Sequence, residues 1–470
     1  MLTRYRIVLF CVAAALAVTL PTLRNGFAID DVYVFIDQPA AHSLRNVPQF
    51  FAGGWGMGTT SVQERALNTR YYRPLPTTLG ALEYTLFGLH PAGYHATSAL
   101  LHVATAALVA LLLWQLTGGA AVAALLGGLL FAIHPVQCEA FCAACYQTTL
   151  LAGLFTVLIL LVFARVLECG PRFALLCALA VCLLLALLSK EEAFAVPLFI
   201  VAWAVILRPP AWWRALWPSL LAMLVPLGVV LMLRHTFLVP SKVTYFADES
   251  ASVVALTMVR VVAFYGELLL APLRLCPFYD WFIIGYETGL SFAVATGAAI
   301  LCVSALVFVY CRKRAPLFAL AIAWFFLGLG PVSQIIPTIV VAADRFLYLP
   351  MMGWALLVGC LLDLAWQRAL TAGRSRLVAA AITLLFMTFA ARTFVRVPDW
   401  QSDETLNLAT VAAFPETPTP FLNLATYYER FERNPAKALQ ALEKAQQRAP
   451  GWRPALERAR ALQTMVSPVE

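Results

Sequence analysis

Twelve apolar runs, each of a length suited to a helix in a lipid bilayer, dominate this 470-residue chain. A spanning helix needs about 20 mainly apolar residues, since inside lipid the backbone must satisfy its own polar groups. The composition is 61% hydrophobic and 12% charged, and the mean hydropathy is +0.80. We therefore predict an all-α polytopic membrane protein. The runs cover residues 5–23, 93–116, 118–134, 147–167, 171–189, 193–207, 214–235, 252–272, 289–311, 315–331, 344–366 and 376–395.

The positions of the basic residues predict how many of these runs cross the membrane. Basic residues collect in short cytoplasmic loops, so the basic N-terminus is expected inside. If all twelve runs crossed, the basic clusters at 312–314 and 368–376 would lie outside. The run 252–272 contains Arg260 and Glu267 and is therefore expected to be re-entrant or laterally packed. We predict about eleven transmembrane helices, with the C-terminus outside.

The composition changes near residue 396 and predicts two domains. Residues 1–396 are expected to form the membrane domain, with an uncleaved first span and a first outer loop at 24–90. Residues 397–470 are expected to form a small extracytoplasmic helical tail. Its segment 418–463 has the spacing of about one tetratricopeptide repeat, although an ordinary helical hairpin would give nearly the same pattern.

Two adjacent carboxylates, Asp30 and Asp31, follow the first apolar run. A carboxylate contributes nothing to insertion into a bilayer, where it costs roughly 2.5–3.5 kcal/mol. Neighbouring carboxylates also repel each other, which tends to raise the pKa of one of them. The pair is therefore a candidate general base, or a candidate site for a hard cation.

Polar residues from several separate segments fall on the same outer surface in this topology. Arg73 could bind a phosphate or serve as an interface residue, and the cluster at 190–192 could order a site or extend charged groups to the interface. For the charged pair before residue 346 we favour function, because charge at the start of an apolar run is costly. The candidate site residues on this surface are Arg73, His134, Glu139, Lys190, Glu191, Asp344 and Arg345.

Other classes of function find no support in the sequence. It contains no Gly-rich phosphate loop and no basic, aromatic-interleaved soluble face for nucleic acid. Cys138, Cys142 and Cys145 are more typical of spacers at a span end than of a metal site, and no complete zinc ligand set follows His134. We predict no required cofactor; a divalent cation is possible but not favoured.

Six motifs in order resemble those of the transmembrane and tetratricopeptide-repeat O-mannosyltransferases, within the C-type membrane glycosyltransferase superfamily that also contains protein O-mannosyltransferases. The resemblance covers about residues 24–366. Three departures are the segment 145–151, which lacks an arginine and an aspartate, Asp344 in place of a common glutamate, and the short tail. The motifs lie at 26–31, 72–75, 93–102, 131–140, 188–191 and 345–350, with an aspartate-aromatic pair at Asp280.

The resemblance implies a C-type glycosyltransferase fold and inverting transfer from a polyprenyl- or dolichyl-phosphate sugar. An acidic residue of the first outer loop would be the base, which makes Asp30 and Asp31 the catalytic candidates. The seven polar candidates given above, from Arg73 to Arg345, would then bind the donor phosphate or sugar. The expected acceptor is a hydroxyl of a protein or glycan, with mannose or another hexose as the sugar. We expect a bacterial inner membrane and a periplasmic active face. The alternative is a non-catalytic scaffold or transporter whose tail recruits a partner.

Overall fold

The computed structural model describes residues 3–53, 71–238, 245–246, 249–335 and 337–466. Within these ranges the chain is mainly helical, and its strand-like pairing is limited to an isolated bridge between Tyr279 and Ala342. The predicted all-α class is therefore confirmed.

A helix lies at each of the twelve apolar runs, and further helices lie in the first outer loop and the tail. Two five-residue helices occupy Val47–Phe51 and Cys138–Cys142. The longer helices are α1 Arg4–Thr19, α2 Pro74–Phe87, α3 Pro91–Leu116, α4 Ala121–Ile133, α5 Gln147–Cys169, α6 Phe173–Leu187, α7 Val196–Leu207, α8 Trp212–Phe237, α9 Ala251–Leu270, α10 Phe292–Arg314, α11 Pro316–Leu329, α12 Pro350–Thr371, α13 Ser375–Arg396, α14 Asp403–Ala413, α15 Thr419–Arg430, α16 Pro435–Arg448 and α17 Arg453–Val466.

The described residues contain 8 helices long and apolar enough to cross a membrane, or up to 9 if the bent pair Ala121–Ile133 and Pro135–Cys142 is one span. Two shorter apolar helices, Phe173–Leu187 and Pro316–Val332, accompany them. The chain is thus an integral membrane protein. Helix α9, which we expect not to cross, also has the length and composition of a span. The count of eleven crossings stays a prediction.

Glycines allow close helix crossings in the bundle. A Cβ on Gly359 of α12 would lie 2.5 Å from the Ala123 carbonyl oxygen of α4. A Cβ on Gly297 of α10 would overlap the Val259 carbonyl oxygen of α9. Apolar surface gives no advantage to helix association within lipid, so close van der Waals packing of this kind stabilises the bundle.

The tail begins with α14, and a capping box stabilises the N-terminus of this helix. The Ser402 hydroxyl accepts a hydrogen bond from the Thr405 N–H, and the Thr405 hydroxyl accepts one from the Ser402 N–H. Helices α15 to α17 then bury a small apolar core of their own that includes Leu424 and Leu442. The expected helical hairpin is therefore present at α15 and α16. Its assignment as a tetratricopeptide repeat stays a prediction.

The close approach at Gly359 can be tested by adding one methyl group. We expect Gly359→Ala to lower the free energy of unfolding by about 1–3 kcal/mol, because the methyl group would overpack α4 against α12. Gly228→Ala on α8 is the matched control, since a Cβ there meets no atom within 4 Å. The measurement is thermal unfolding in detergent. Equal melting temperatures for the two variants would contradict the proposed packing role.

Candidate active site

The charged centre forms where helix ends meet at one end of the bundle. Helices α1, α4, α6 and α8 end there, and α2, α5 and α12 begin there. Residues far apart in sequence thereby come together. The charged and polar side chains of this centre are Asp30, Asp31, Arg73, Glu139, Tyr146, Lys190, Glu191, Glu192, Arg234 and Arg345.

A buried pair, Glu139 and Arg345, connects the chain between α4 and α5 to the start of α12. One carboxylate oxygen of Glu139 accepts the backbone N–H of Arg345 at 2.6 Å, and the other pairs with its guanidinium. Both residues are buried. Loss of one partner of a buried ion pair typically costs about 3–5 kcal/mol, so this contact fixes the position of the guanidinium.

Asp30 is half-buried and faces this pair. The Tyr146 hydroxyl donates a hydrogen bond of 3.1 Å to its Oδ2. The Arg345 guanidinium lies over the Tyr146 ring, 4.3 Å from the centroid. Burial raises the pKa of Asp30, while Arg345, Tyr146 and Arg73 lower it, and the net direction is upward. A carboxylate of raised pKa is a better proton acceptor than a free aspartate.

Asp31 has a different environment from its neighbour. It is fully buried, and its Oδ1 accepts the Cys145 N–H at 2.7 Å while its Oδ2 accepts the Ala28 N–H at 3.4 Å. Burial raises the pKa of Asp31 to about 7 against the lowering effect of these N–H groups. Because its oxygens bind backbone, Asp31 shapes the loop that presents Asp30.

A second basic group forms around Glu191. Arg73 donates to Oε2 of Glu191 at 3.0 and 2.8 Å, and Arg234 donates to Oε1 at 2.9 Å. Burial alone would raise the pKa of Glu191, but the two arginines outweigh it and lower the pKa to about 2. Glu191 is therefore ionised and holds two guanidinium groups beside the centre.

Lys190 contributes a further cation. Its Nζ donates to the Thr149 hydroxyl at 2.8 Å, pairs with Glu192 at 2.5 Å and lies 5.5 Å from the centroid of the Phe346 ring. Burial lowers the pKa of Lys190, Glu192 raises it, and the charges of Arg73 and Arg345 lower it further. Lys190 therefore lies within electrostatic reach of both arginines.

Three expected residues have other environments. Asp344, the residue before Arg345, accepts a 2.6 Å hydrogen bond from the Tyr279 hydroxyl. Asp280 pairs with Thr419 of the tail. His134 bonds backbone through both ring nitrogens: its Nε2 contacts the Leu269 carbonyl oxygen at 3.1 Å and its Nδ1 accepts the Val136 N–H at 3.4 Å. These bonds join the residue to the end of α9, and its role in donor binding stays a prediction.

No group of three or more His, Cys, Asp or Glu side chains arranged for a metal ion occurs within the ranges that the structure describes. Asp30 and Glu139 contact a tyrosine and an arginine, respectively. The expectation about a divalent cation stays a prediction.

Sequence reasoning missed Tyr146, Cys145 and Arg234. The segment 145–151 was noted as a departure from the family pattern, and its first two residues contact the two aspartates. Arg234 is a basic residue in the last turn of an apolar helix, a position that could have marked it as facing the same surface. Only the fold shows that Arg234 shares Glu191 with Arg73.

The arrangement combines a proton-accepting carboxylate with several cations at one end of a membrane bundle. A half-buried Asp30 can take a proton, and Arg73, Lys190 and Arg345 can stabilise negative charge near it. These features define an integral membrane protein whose centre is suited to acid–base chemistry beside a negatively charged group.

The comparison with curated proteins confirms the resemblance inferred from the motifs. The chain is 26% identical over 465 residues to protein O-mannosyl-transferase Tmtc3 of Drosophila melanogaster, covering 82% of this chain and 49% of that protein. Human TMTC3 is 26% identical over 425 residues, covering 81% and 45%. The Caenorhabditis elegans protein O-mannosyl-transferase F38B6.6 is 23% identical over 434 residues, covering 89% and 59%. The chain thus spans about half the length of the curated relatives it matches.

Solved structures show a more distant similarity. ArnT of Cupriavidus metallidurans bound to undecaprenyl phosphate has a TM-score of 0.42 and 17% identity, covering 94% of this chain and 75% of that one. The Archaeoglobus fulgidus oligosaccharyltransferase AglB has a TM-score of 0.45 and 14% identity, covering 85% and 56%. No family model matches the chain.

The hydrogen bond from Tyr146 can be tested through a pH profile. In Tyr146→Phe the ring under Arg345 remains, but Asp30 loses a donor that lowers its pKa. We expect the acid limb of the activity profile to move up by about half to one pH unit, because ionised Asp30 is the active form. Tyr310→Phe, at an exposed tyrosine of α10, is the control. An unchanged acid limb in Tyr146→Phe would contradict this role.

A buried carboxyl on α2 predicts how stability depends on pH. Glu83 Oε1 accepts from the Gln147 amide at 2.7 Å, and its Oε2 has no hydrogen-bond partner among the described residues. Burial raises the pKa of Glu83 from 4.5 to about 8. The folded state therefore favours the protonated form, whose stabilising contribution is complete below pH 4.5 and is lost as the pH rises through 8.

We expect Glu83→Gln to flatten the fall in melting temperature between about pH 4.5 and 8, and to raise the melting temperature by about 2 °C or more at the alkaline end. The amide cannot ionise, so no buried charge forms as the pH rises. Differential scanning fluorimetry in detergent measures this, with Glu457→Gln at an exposed tail position as the control. A wild-type pH dependence in Glu83→Gln would show that the carboxyl does not titrate in this way.

Proposed function

We propose that this chain is an inverting membrane glycosyltransferase that transfers a hexose, mannose in the first instance, from a polyprenyl- or dolichyl-phosphate donor to a hydroxyl acceptor. The proposed acceptor is Ser or Thr of a protein. The observation on which the proposal depends is the half-buried Asp30 carboxylate beside the Arg345 guanidinium. The names of the curated relatives support mannosyl transfer to protein.

Asp30 is the proposed base. As the acceptor oxygen attacks the anomeric carbon, its proton passes to the Asp30 carboxylate, and the bond from the anomeric carbon to the phosphate oxygen breaks with inversion. Asp30 is preferred over Asp31 because Asp31 is fully buried and both its oxygens accept backbone N–H groups. Proton removal by a positioned carboxylate typically contributes about 10²–10⁴-fold to the rate.

The basic residues are proposed to stabilise the departing lipid phosphate. Arg345 packs on the ring of Tyr146, the tyrosine that bonds the proposed base. Arg73 and Lys190 belong to the neighbouring group of basic residues, and both the Arg73 and the Arg345 charges act on Lys190. Guanidinium groups bind phosphate with two parallel hydrogen bonds, and fixed cations cost no reorganisation as charge develops. Glu139 and Glu191 are assigned to holding these cations in place.

The site is proposed to lie on the extracytoplasmic face of the membrane. The chain is proposed to cross the membrane eleven times. The basic ends of α10 and α12 are at the opposite ends of these helices from the charged centre, which agrees with cytoplasmic loops there. Helix α9 is proposed not to cross: Leu269 near its end bonds His134, while the Tyr245 N–H before its start bonds Thr338 in the loop before α12. The periplasmic face of a bacterial inner membrane is the proposed location.

The assay uses purified protein in lipid nanodiscs with polyprenyl-phosphate mannose and a Ser/Thr peptide, read by mass spectrometry. We expect Asp30→Asn to lower the turnover by about 10²–10⁴-fold through loss of the base. Asp31→Asn should also impair transfer, since an amide cannot accept both N–H groups. Asp363→Asn, at the far end of α12, is the control.

Wild-type rates in both Asp30→Asn and Asp31→Asn would contradict the catalytic assignment. A wild-type protein that transfers no sugar would favour the non-catalytic scaffold or transporter.

A further inference from the structure

We propose that the segment 397–403, which joins the membrane domain to the tail, positions the acidic pair, and that Asp403 is a positioning residue for Asp30. The proposal rests on the glycosyltransferase function proposed above. It assigns to the start of the tail a role in the reaction centre, in addition to any role in binding an acceptor.

Three hydrogen bonds join this segment to the five residues before the acidic pair. The Asn25 amide donates to the Val397 carbonyl oxygen at 3.2 Å, and the Gly26 N–H donates to the Gln401 carbonyl oxygen at 2.9 Å. The Ile29 N–H donates to Oδ1 of Asp403 at 2.5 Å. These contacts join positions more than 370 residues apart in sequence.

The third bond falls on a strained residue. Ile29 has a φ of +54°, in the left-handed region that a β-branched residue rarely adopts. Such a conformation persists only when the surrounding contacts hold it. The next residue in the chain is Asp30, so the backbone at Ile29 sets the direction in which the candidate base projects. The Asp403 carboxylate is the contact that fixes the N–H of this residue.

Asp403 is itself well placed for this role. It lies in the first turn of α14, directly after the capping box at Ser402, where a carboxylate is favoured by the helix dipole. Burial raises the pKa of Asp403, and the nearby Asp30 carboxylate acts in the same direction. The tail also reaches the loop at a second point, where Arg430 of α15 pairs with Asp37.

The left-handed residue offers a specific rescue. Asp403→Ala removes the acceptor, so Ile29 can relax and carry Asp30 away from the centre. Asp403→Asn keeps an oxygen that can accept the same N–H. Glycine adopts positive φ without steric cost, so Ile29→Gly should restore the loop conformation in the Asp403→Ala background.

Two measurements on the full-length protein in nanodiscs test the proposal. The first is hydrogen–deuterium exchange of peptides that cover Ile29; we expect its amide to exchange about tenfold faster in Asp403→Ala and near the wild-type rate in Asp403→Asn. The second is the transfer assay. There kcat should fall by about 10–100-fold in Asp403→Ala with the KM for the donor unchanged, since small displacements of a reacting group have effects of this size.

The rescue and the control complete the test. We expect Asp403→Ala combined with Ile29→Gly to recover kcat to within about threefold of Ile29→Gly alone, because glycine relieves the strain. Glu404→Ala is the matched control, because among the described residues this neighbouring carboxylate accepts a hydrogen bond from Tyr428 within the tail. Its loss should leave exchange and kcat unchanged.

Unchanged exchange at Ile29 in Asp403→Ala, a wild-type kcat in that variant, or no recovery on adding Ile29→Gly would each overturn the proposal. The exchange result does not depend on the reaction. If the wild-type protein transfers no sugar, the proposed function fails, and exchange still decides whether Asp403 holds the loop.

Discussion

The buried contact between Glu139 and Arg345 is the interaction on which the rest of the charged centre depends. It joins positions 206 residues apart in sequence. The Glu139 carboxylate accepts hydrogen bonds from both the backbone N–H and a guanidinium N–H of Arg345. The guanidinium lies on the Tyr146 ring, and the Tyr146 hydroxyl bonds Asp30. One ion pair thus sets the geometry of a chain of contacts from the start of α12 to the first outer loop.

The two adjacent aspartates have separate roles in this arrangement. Asp31 is fully buried and bonds the backbone of its own loop and of Cys145, so it is part of the scaffold. Asp30 remains partly accessible beside cations that are themselves held by carboxylates. The cost of burying the other charged side chains of the centre is offset because each of them pairs with a group of opposite sign. This explains how a lipid-facing bundle can retain a dense charged centre at one end.

The sequence was sufficient for the helices and for most of the residues at the centre. Apolar runs require helices in lipid, and the distribution of basic residues among the loops predicts that Asp30, Arg73, Glu139 and Arg345 share one surface. The contacts themselves depend on packing between distant segments, which periodicity does not encode. The two backbone hydrogen bonds of the His134 ring are contacts of this kind. Tyr146 lies in a segment that departs from the family pattern, and the left-handed Ile29 bonds a residue of the tail, a contact between distant segments.

The most direct test of the central claim is a cryo-electron microscopy structure of the full chain in a nanodisc with polyprenyl-phosphate mannose and an acceptor peptide. We predict that the donor phosphate contacts Arg345, Arg73 or Lys190, and that the acceptor hydroxyl lies within about 3.2 Å of an Asp30 carboxylate oxygen. A phosphate bound elsewhere on the bundle, with the peptide hydroxyl remote from Asp30, would contradict it.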